Sequence, residues 1–312
     1  MFNDVRSALP KHVNYSIVIS RFESKGVWKR IYNIIDALFR QGDVNHITGD
    51  VHYLAYLLRK KRTLLTIHDC VSLERLKGLK RKLLFFLWYW LPEKRVALIS
   101  VISESTKNEV LRYLKCNPNK MRVVPDCVSP KFHHFPYIFN IHKPTILQVG
   151  TNYNKNLSRV AQALKGISCH LKIVGNLSEA QKKALKDFDI ESSSKANIPD
   201  DDLVEMYKQC DMVIFASTYE GFGLPIIEAN AVGRPVVTSN IMSMPEVAGD
   251  AACIVDPFNV ESIRNGILRI IQDAQYRGTL VSNGYKNAAR FSPEIIAARY
   301  MELYRELLEK NR

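Results

Sequence analysis

Apolar positions in this chain gather into short runs separated by longer segments of helical spacing. In the second half the runs are PTILQVG (residues 144–150), CHLKIVG (169–175), DMVIFAS (211–217), PVVTS (235–239) and ACIVDP (252–257). Between them, residues 156–167, 178–188, 200–210 and 225–233 place apolar side chains every three to four positions. Short continuous runs read as buried strands and the 3.6-residue period as amphipathic helix. Such a βαβ series implies a parallel sheet covered by helices on both faces, with ligands outside the carboxyl ends of the strands.

The first half reads the same way. Strands are expected at residues 15–21 (YSIVISR), 43–48, 63–69 (TLLTIHD), 97–103 (ALISVIS) and 121–125, and helices at 29–40, 50–60 and 105–115. Residues 128–144 contain Pro130, Pro136 and Pro144 without a clear period and read as the linker. The tail 293–310 has the spacing of a strong amphipathic helix. The expected architecture is α/β: two Rossmann-like, doubly wound domains facing a cleft. The first covers residues 1–135 and the second 142–290. A final helix, 291–312, packs back toward the first.

Length agrees, since 312 residues suit two α/β domains of about 150 each. Six scattered cysteines without a C-x-x-C pair suggest small buried residues in a reducing compartment. The start lacks an apolar h-region, so no leader is read and a cytoplasmic location is expected. Charge changes the picture more. Residues 1–140 carry 24 Lys+Arg against 11 Asp+Glu and the remainder 20 against 20, so the whole +13 sits on the first half. That asymmetry suits an anionic partner, and with no RNP, zinc-finger or basic-zipper pattern nucleic acid is disfavoured.

The most informative stretch is YEGFGLPIIEANAVGRP (219–235), with Glu220 and Glu228 eight positions apart around a Gly-Phe-Gly-Leu-Pro loop. Glu220 follows a strand end, Gly221 and Gly223 allow close approach, and Pro225 opens a helix. Free amides at that helix start can receive phosphate oxygens, and Glu228 in its first turn can accept from a diol such as ribose. The alternative is a solvated loop glutamate and a carboxylate that only complements the helix dipole. Ile226 stands where a dinucleotide fingerprint needs its third glycine.

Residues 217–257 closely resemble the donor-site signature of retaining family 4 glycosyltransferases of the GT-B fold, including its E-x7-E element. The resemblance continues through VGTNYNKNL (149–157), LKIVG (171–175), residues 200–211 and FSPEIIAARY (291–300), and more weakly through TIHDC (66–70), VISESTKNEV (101–110) and MRVVPDCVSPKF (121–132). It implies sugar transfer from a nucleotide-diphosphate donor, with retained configuration and no cofactor or metal. It also implies that Glu220 contacts the donor sugar and Glu228 the ribose, and that Phe222, Gly223 and Leu224 form a backbone cradle. Lys155 would neutralise the leaving diphosphate and His68 contact the transferred sugar.

Two departures stand out. Many members carry arginine after the glycine corresponding to Gly150, where this chain has Thr151, and the usual opening strand with its glycine-bearing loop is not found before residues 2–12.

On the acceptor side, the strand-end rule selects His68 and Asp69, with His46, His52 and Ser103 as further candidates. For His68 the alternative is a structural histidine bonded to a backbone carbonyl, and for Ser103 a helix cap. No metal-ligand spacing occurs, and no metal site is expected. Residues 76–95 set Lys77, Lys80, Arg81, Lys82, Lys94 and Arg95 around Trp88, Tyr89 and Trp90. The apolar run Leu83–Leu91 is too short to span a bilayer. This segment either lies in an anionic lipid interface or packs inside the basic domain. The expected function is transfer to a glycan or lipid-linked acceptor in bacterial surface polysaccharide synthesis, peripheral on the inner face of the membrane. The alternative is a catalytically silent nucleotide-sugar-binding or scaffold subunit. A glycosidase pair is excluded because one carboxylate is drawn into a helix turn beside a phosphate cradle.

Overall fold

The computed structural model describes residues 2–309. Lys310, at the expected end of the tail helix, lies outside the described residues. The chain divides into two compact units, Met1–Asp126 with Pro293–Arg312, and Cys127–Ser292.

In the first unit, β1 (Asn45–Ile47), β2 (Thr63–Ile67), β3 (Leu98–Val101) and β4 (Met121–Val123) form one parallel sheet in the order β1-β2-β3-β4. All of β2 and β3 is buried, as expected for strands covered on both faces. The expected strand at 15–21 does not form. Tyr15, Ile17, Val18 and Ile19 are exposed, and the neighbouring chain is held by Asn33, whose amide bonds the backbone of Phe22 in both directions. The run stays out of the sheet and, among the described residues, the outer edge of β1 stays unpaired, so apolar character alone does not recruit a segment to an open edge. The expected helix 50–60 is replaced by 3-10 turns at His52–Tyr56 and Lys60–Arg62.

Residues 78–95 form one continuous helical run, α-helical at Gly78–Leu84 and Leu91–Arg95 and π-helical at Phe85–Trp90. Its two faces differ. Trp88 and Tyr89 are buried in the core, while Leu79, Leu83, Phe86 and Trp90 are exposed along the other side, with the Phe86 and Trp90 rings stacked at 5.1 Å.

The π register and Pro92 each release a carbonyl. Leu91 N–H donates to Phe86 O instead of Leu87 O, and Pro92 has no N–H for Trp88 O. Tyr56 O–H donates to Leu87 O (2.5 Å), and His52 Nδ1 donates to Trp88 O (2.7 Å).

The second unit holds β5 (Thr145–Val149), β6 (His170–Val174), β7 (Ser192–Lys195), β8 (Met212–Phe215), β9 (Val236–Ser239) and β10 (Cys253–Val255). All pairings are parallel, in the order β10-β9-β8-β5-β6-β7. The order reverses between β5 and β8, which makes that junction a topological switch point. β7 has no apolar signal in Ser-Ser-Ser-Lys and caps the sheet as a polar edge.

The expected linker 128–144 belongs to this unit because its aromatic residues are anchored there. Phe132 meets Tyr207 edge-on at 5.3 Å. The buried Arg234 guanidinium donates to Phe135 O, Cys210 O and Lys208 O and lies 4.4 Å from the Tyr137 ring. The Asp211 carboxylate accepts from the amides of Asn140 and Thr145.

Candidate active site

The segments leaving the carboxyl ends of β5 and β8 are stitched to each other. Thr218 N–H donates to Asn154 O (2.8 Å), and Asn154 Nδ2 donates to Tyr219 O (2.8 Å) and Glu220 Oε1 (3.1 Å). Asn156, buried with φ +61°, donates to Ala216 O (3.0 Å) and Pro257 O (2.7 Å). These bonds bring Lys155 and Glu220, 65 positions apart, into an ion pair of 2.7 Å. Their side chains are only 17% and 16% exposed, so this is not a solvated surface pair. The ammonium also lies 4.6 Å from the centroid of Phe215.

Gly150 explains how the lysine reaches that point. Its φ is +94°, and a Cβ there would fall 2.8 Å from Lys155 Cε, so only glycine lets the lysine stem lie across the backbone. Thr151, next in sequence, donates its hydroxyl to Asn176 O (2.8 Å) and adds no cation.

Across the loop, Ser243 Oγ lies 2.6 Å from Phe222 O and 3.0 Å from Glu220 O, holding the backbone turn. The Phe222 ring is buried edge-on against Phe291, so this residue offers the site its backbone. Gly223, φ +124°, is the N-cap of the helix Leu224–Val232. Among the described residues no backbone carbonyl accepts from the amides of Phe222, Gly223 or Leu224. Glu228 stands one turn into that helix, beyond the first turn where it is expected, because the helix already starts at Leu224, and it accepts from Tyr207 O–H through Oε2 at 2.6 Å. Burial pushes the Glu228 carboxyl up to about 7, against the lowering influence of Tyr207 and Lys155. One cation, two carboxylates and a run of open amides thus share one end of the switch point. A polyanion with hydroxylated groups at both ends matches that set chemically.

In the first unit the strand-end candidates meet a different fate. Both ring nitrogens of His46 are taken, Nδ1 with Tyr304 Oη (2.8 Å) and Nε2 with Thr66 Oγ1 (2.7 Å), and burial lowers its pKa to about 3. His52 is buried beneath the π segment, with its pKa lowered to about 4 by burial. Ser103 is the N-cap of helix Glu104–Leu114, accepting from Thr106 N–H. Each of the three thus has a structural partner in the fold. His68 is half-buried and donates through Nε2 to Thr48 O (2.9 Å). Asp69 Oδ1 accepts from Val71 N–H in a local turn.

Sequence reasoning passed over Asn154, Ser243 and Tyr207. Asn154 adjoins Lys155 and lay within reach of the motif, whereas Tyr207 sits 21 positions before Glu228 with no spacing rule to mark it.

Residues 131–287 match the family described as glycosyl transferases group 1, and residues 20–132 match glycosyltransferase family 4. The chain is 41% identical over 110 residues to O-antigen chain mannosyltransferase B of Escherichia coli, covering 35% of this chain and 29% of that relative. It is 27% identical over 263 residues to the amylovoran biosynthesis glycosyltransferase AmsD of Erwinia amylovora, covering 80% and 72%. Sucrose-phosphate synthase from Thermosynechococcus elongatus superposes with a TM-score of 0.76 at 20% identity, over 90% of this chain and 78% of that one. The match to the mannosyltransferase thus spans less than a third of that relative's length.

Proposed function

The chain belongs to the glycosyl transferases group 1, with the two parallel-sheet α/β domains of the GT-B fold, and from that premise we propose that it transfers a hexose from a nucleotide-diphosphate sugar with retained anomeric configuration. The observation that carries this reading is the Lys155–Glu220 ion pair at the strand-order reversal, with Glu228 one turn into the helix that follows the amide-lined loop. The bond from the anomeric carbon to the diphosphate oxygen breaks while an acceptor hydroxyl forms its bond on the same face. The hydroxyl proton passes to a departing phosphate oxygen. Negative charge growing on the diphosphate is stabilised by Lys155 and the open amides of residues 222–224. Glu220 positions the sugar, and Glu228 accepts from the ribose. His68 orients a sugar hydroxyl: with Nε2–H given to Thr48 O, its Nδ1 is left as an acceptor. A fixed ammonium performs the task a metal would, so transfer proceeds without one.

Mannose is the proposed sugar, in keeping with the name of the O-antigen chain mannosyltransferase, and a bacterial surface glycan or its lipid-linked precursor is the proposed acceptor. The exposed face Leu79, Leu83, Phe86 and Trp90, bordered by exposed Lys77, Lys80, Arg81 and Lys82, suits the anionic inner face of a cell membrane. No helix of the described residues is long and apolar enough to cross a membrane.

One observation favours a second reading: the Thr151 hydroxyl is turned onto Asn176 O where a phosphate-binding cation would strengthen the site. A non-catalytic nucleotide-sugar-binding subunit would tolerate that change. The experiment that separates the two offers nucleotide-activated mannose and other nucleotide hexoses, follows sugar release, and assigns the product anomer by NMR. Release that disappears in Glu220→Ala supports the transferase, whereas nucleotide binding without release by the wild type supports the silent subunit, and an inverted product overturns retention.

A further inference from the structure

We propose that Tyr207 is a positioning residue for donor recognition, holding Oε2 of Glu228 so that Oε1 is presented to a ribose hydroxyl. This rests on the reading of Glu228 as the ribose contact. The Tyr207 side chain is fully buried on helix Asp200–Lys208, and its hydroxyl donates to Glu228 Oε2 at 2.6 Å. Glu228 Oε1 accepts from no amide or side chain of the described residues. Three contacts fix the tyrosine. Phe132 meets its ring edge-on at 5.3 Å, Cys210 Sγ donates to its carbonyl, and Arg234 donates to Lys208 O at the end of its helix. Burial holds the phenol well above its usual pKa, so it stays a donor at every working pH.

A glutamate side chain has three rotatable bonds, and a buried donor on one oxygen removes most of that freedom before ligand arrives. The same bond favours the ionised carboxylate. Among the described residues the other charged groups facing it are Lys155, from the segment after β5, which also favours ionisation, and Asp200, from the start of the tyrosine's own helix, which opposes it.

The test measures binding of GDP and UDP, of their 2′,3′-dideoxy forms and of inorganic pyrophosphate to the full-length wild type, Tyr207→Phe and Glu228→Ala. Tyr207→Phe is expected to weaken the nucleotide that binds by about tenfold, the scale of one hydrogen bond to a charged group. Pyrophosphate and the dideoxy form should bind wild type and variant alike. The acid limb of nucleotide binding should move up by roughly one pH unit, because a donor to the carboxylate has been lost. Phe132→Leu, which loosens the ring and keeps the hydroxyl, should give a smaller loss confined to the ribose-bearing ligand, and serves if Tyr207→Phe does not fold. If Glu228→Ala loses nucleotide affinity while Tyr207→Phe retains it with an unmoved acid limb, the positioning role is overturned and the ribose reading stands. If Glu228→Ala binds nucleotide as the wild type does, the ribose reading itself fails.

Discussion

The two parallel sheets treat polar residues near their strand ends in opposite ways. In the first, four strands lie side by side in chain order, and His46, Thr66 and Ser100 bond to one another across the sheet, with Tyr304 closing the row. In the second, the order reverses between β5 and β8, and the segments leaving those strands carry Lys155 and Glu220. A reversal sends successive crossovers to opposite faces, so the loops on either side diverge and leave room for a ligand. In the first sheet His46, His52 and Ser103 have structural partners; in the second the partners are the candidate donor-site groups themselves.

The largest effect that should separate the units is on chemistry. Lys155→Ala is expected to lower kcat about a thousandfold, near 4 kcal/mol of transition-state stabilisation, with a folded protein by circular dichroism. His46→Ala should instead lower the unfolding free energy by about 2–3 kcal/mol and leave donor KM unchanged. A His46→Ala protein of normal stability but altered donor KM would break the contrast.

The next effect is on acid stability. His52 and His46 have folded pKa values lowered to about 4 and about 3, below the unfolded value near 6.5. Between those limits the unfolded chain binds more protons, so the stability they lend is complete above 6.5 and is lost as pH falls toward 4. Each should contribute up to about 1.4 kcal/mol per pH unit in that window. Urea titrations from pH 7.5 to 5 should show the first unit weakening, and His52→Gln should flatten the slope.

A smaller test concerns the freed carbonyl of Trp88. His52→Ala leaves it unsatisfied and should cost about 2 kcal/mol. Pro92→Ala restores an N–H four residues on, so the double variant should recover about 1 kcal/mol of that loss, read as a coupling energy. Additive losses would show that the π segment, and not the proline, sets the need for His52.

The smallest effect has the opposite sign and lies in the second unit. The folded pKa of Glu228 is raised to about 7, above its unfolded value, so its ionised form destabilises the fold above pH 7 and that burden is relieved toward pH 4.5. Glu228→Gln should stabilise the protein by on the order of 1 kcal/mol at pH 8, less than the pKa alone suggests because the group is part-exposed, and by nothing measurable at pH 4.5. Its donor affinity should fall.

Much of this was readable in advance because it is local. Strand-and-helix alternation in the second half, the E-x7-E block with its glycine loop, and the amphipathic tail are patterns over a few to a few tens of residues, and period and turn chemistry act at that range. Where local signal was absent or misleading, the reading went astray. The polar strand β7 carries no apolar run, residues 15–21 have the run but no ladder partner, and the proline-bearing segment 128–144 is drawn into the second unit by Arg234 and Asp211.

The amino-acid order thus determined most of the strands and helices of the second unit, the tail helix and which loop carries the paired glutamates. Only the folded chain decided where the strand order reverses, that Lys155 meets Glu220 across 65 positions, and that Tyr207 holds Glu228. The reason is physical: a hydrogen bond or ion pair between distant residues leaves no period in the sequence, and strand order is set by how crossovers pack, which no single segment encodes.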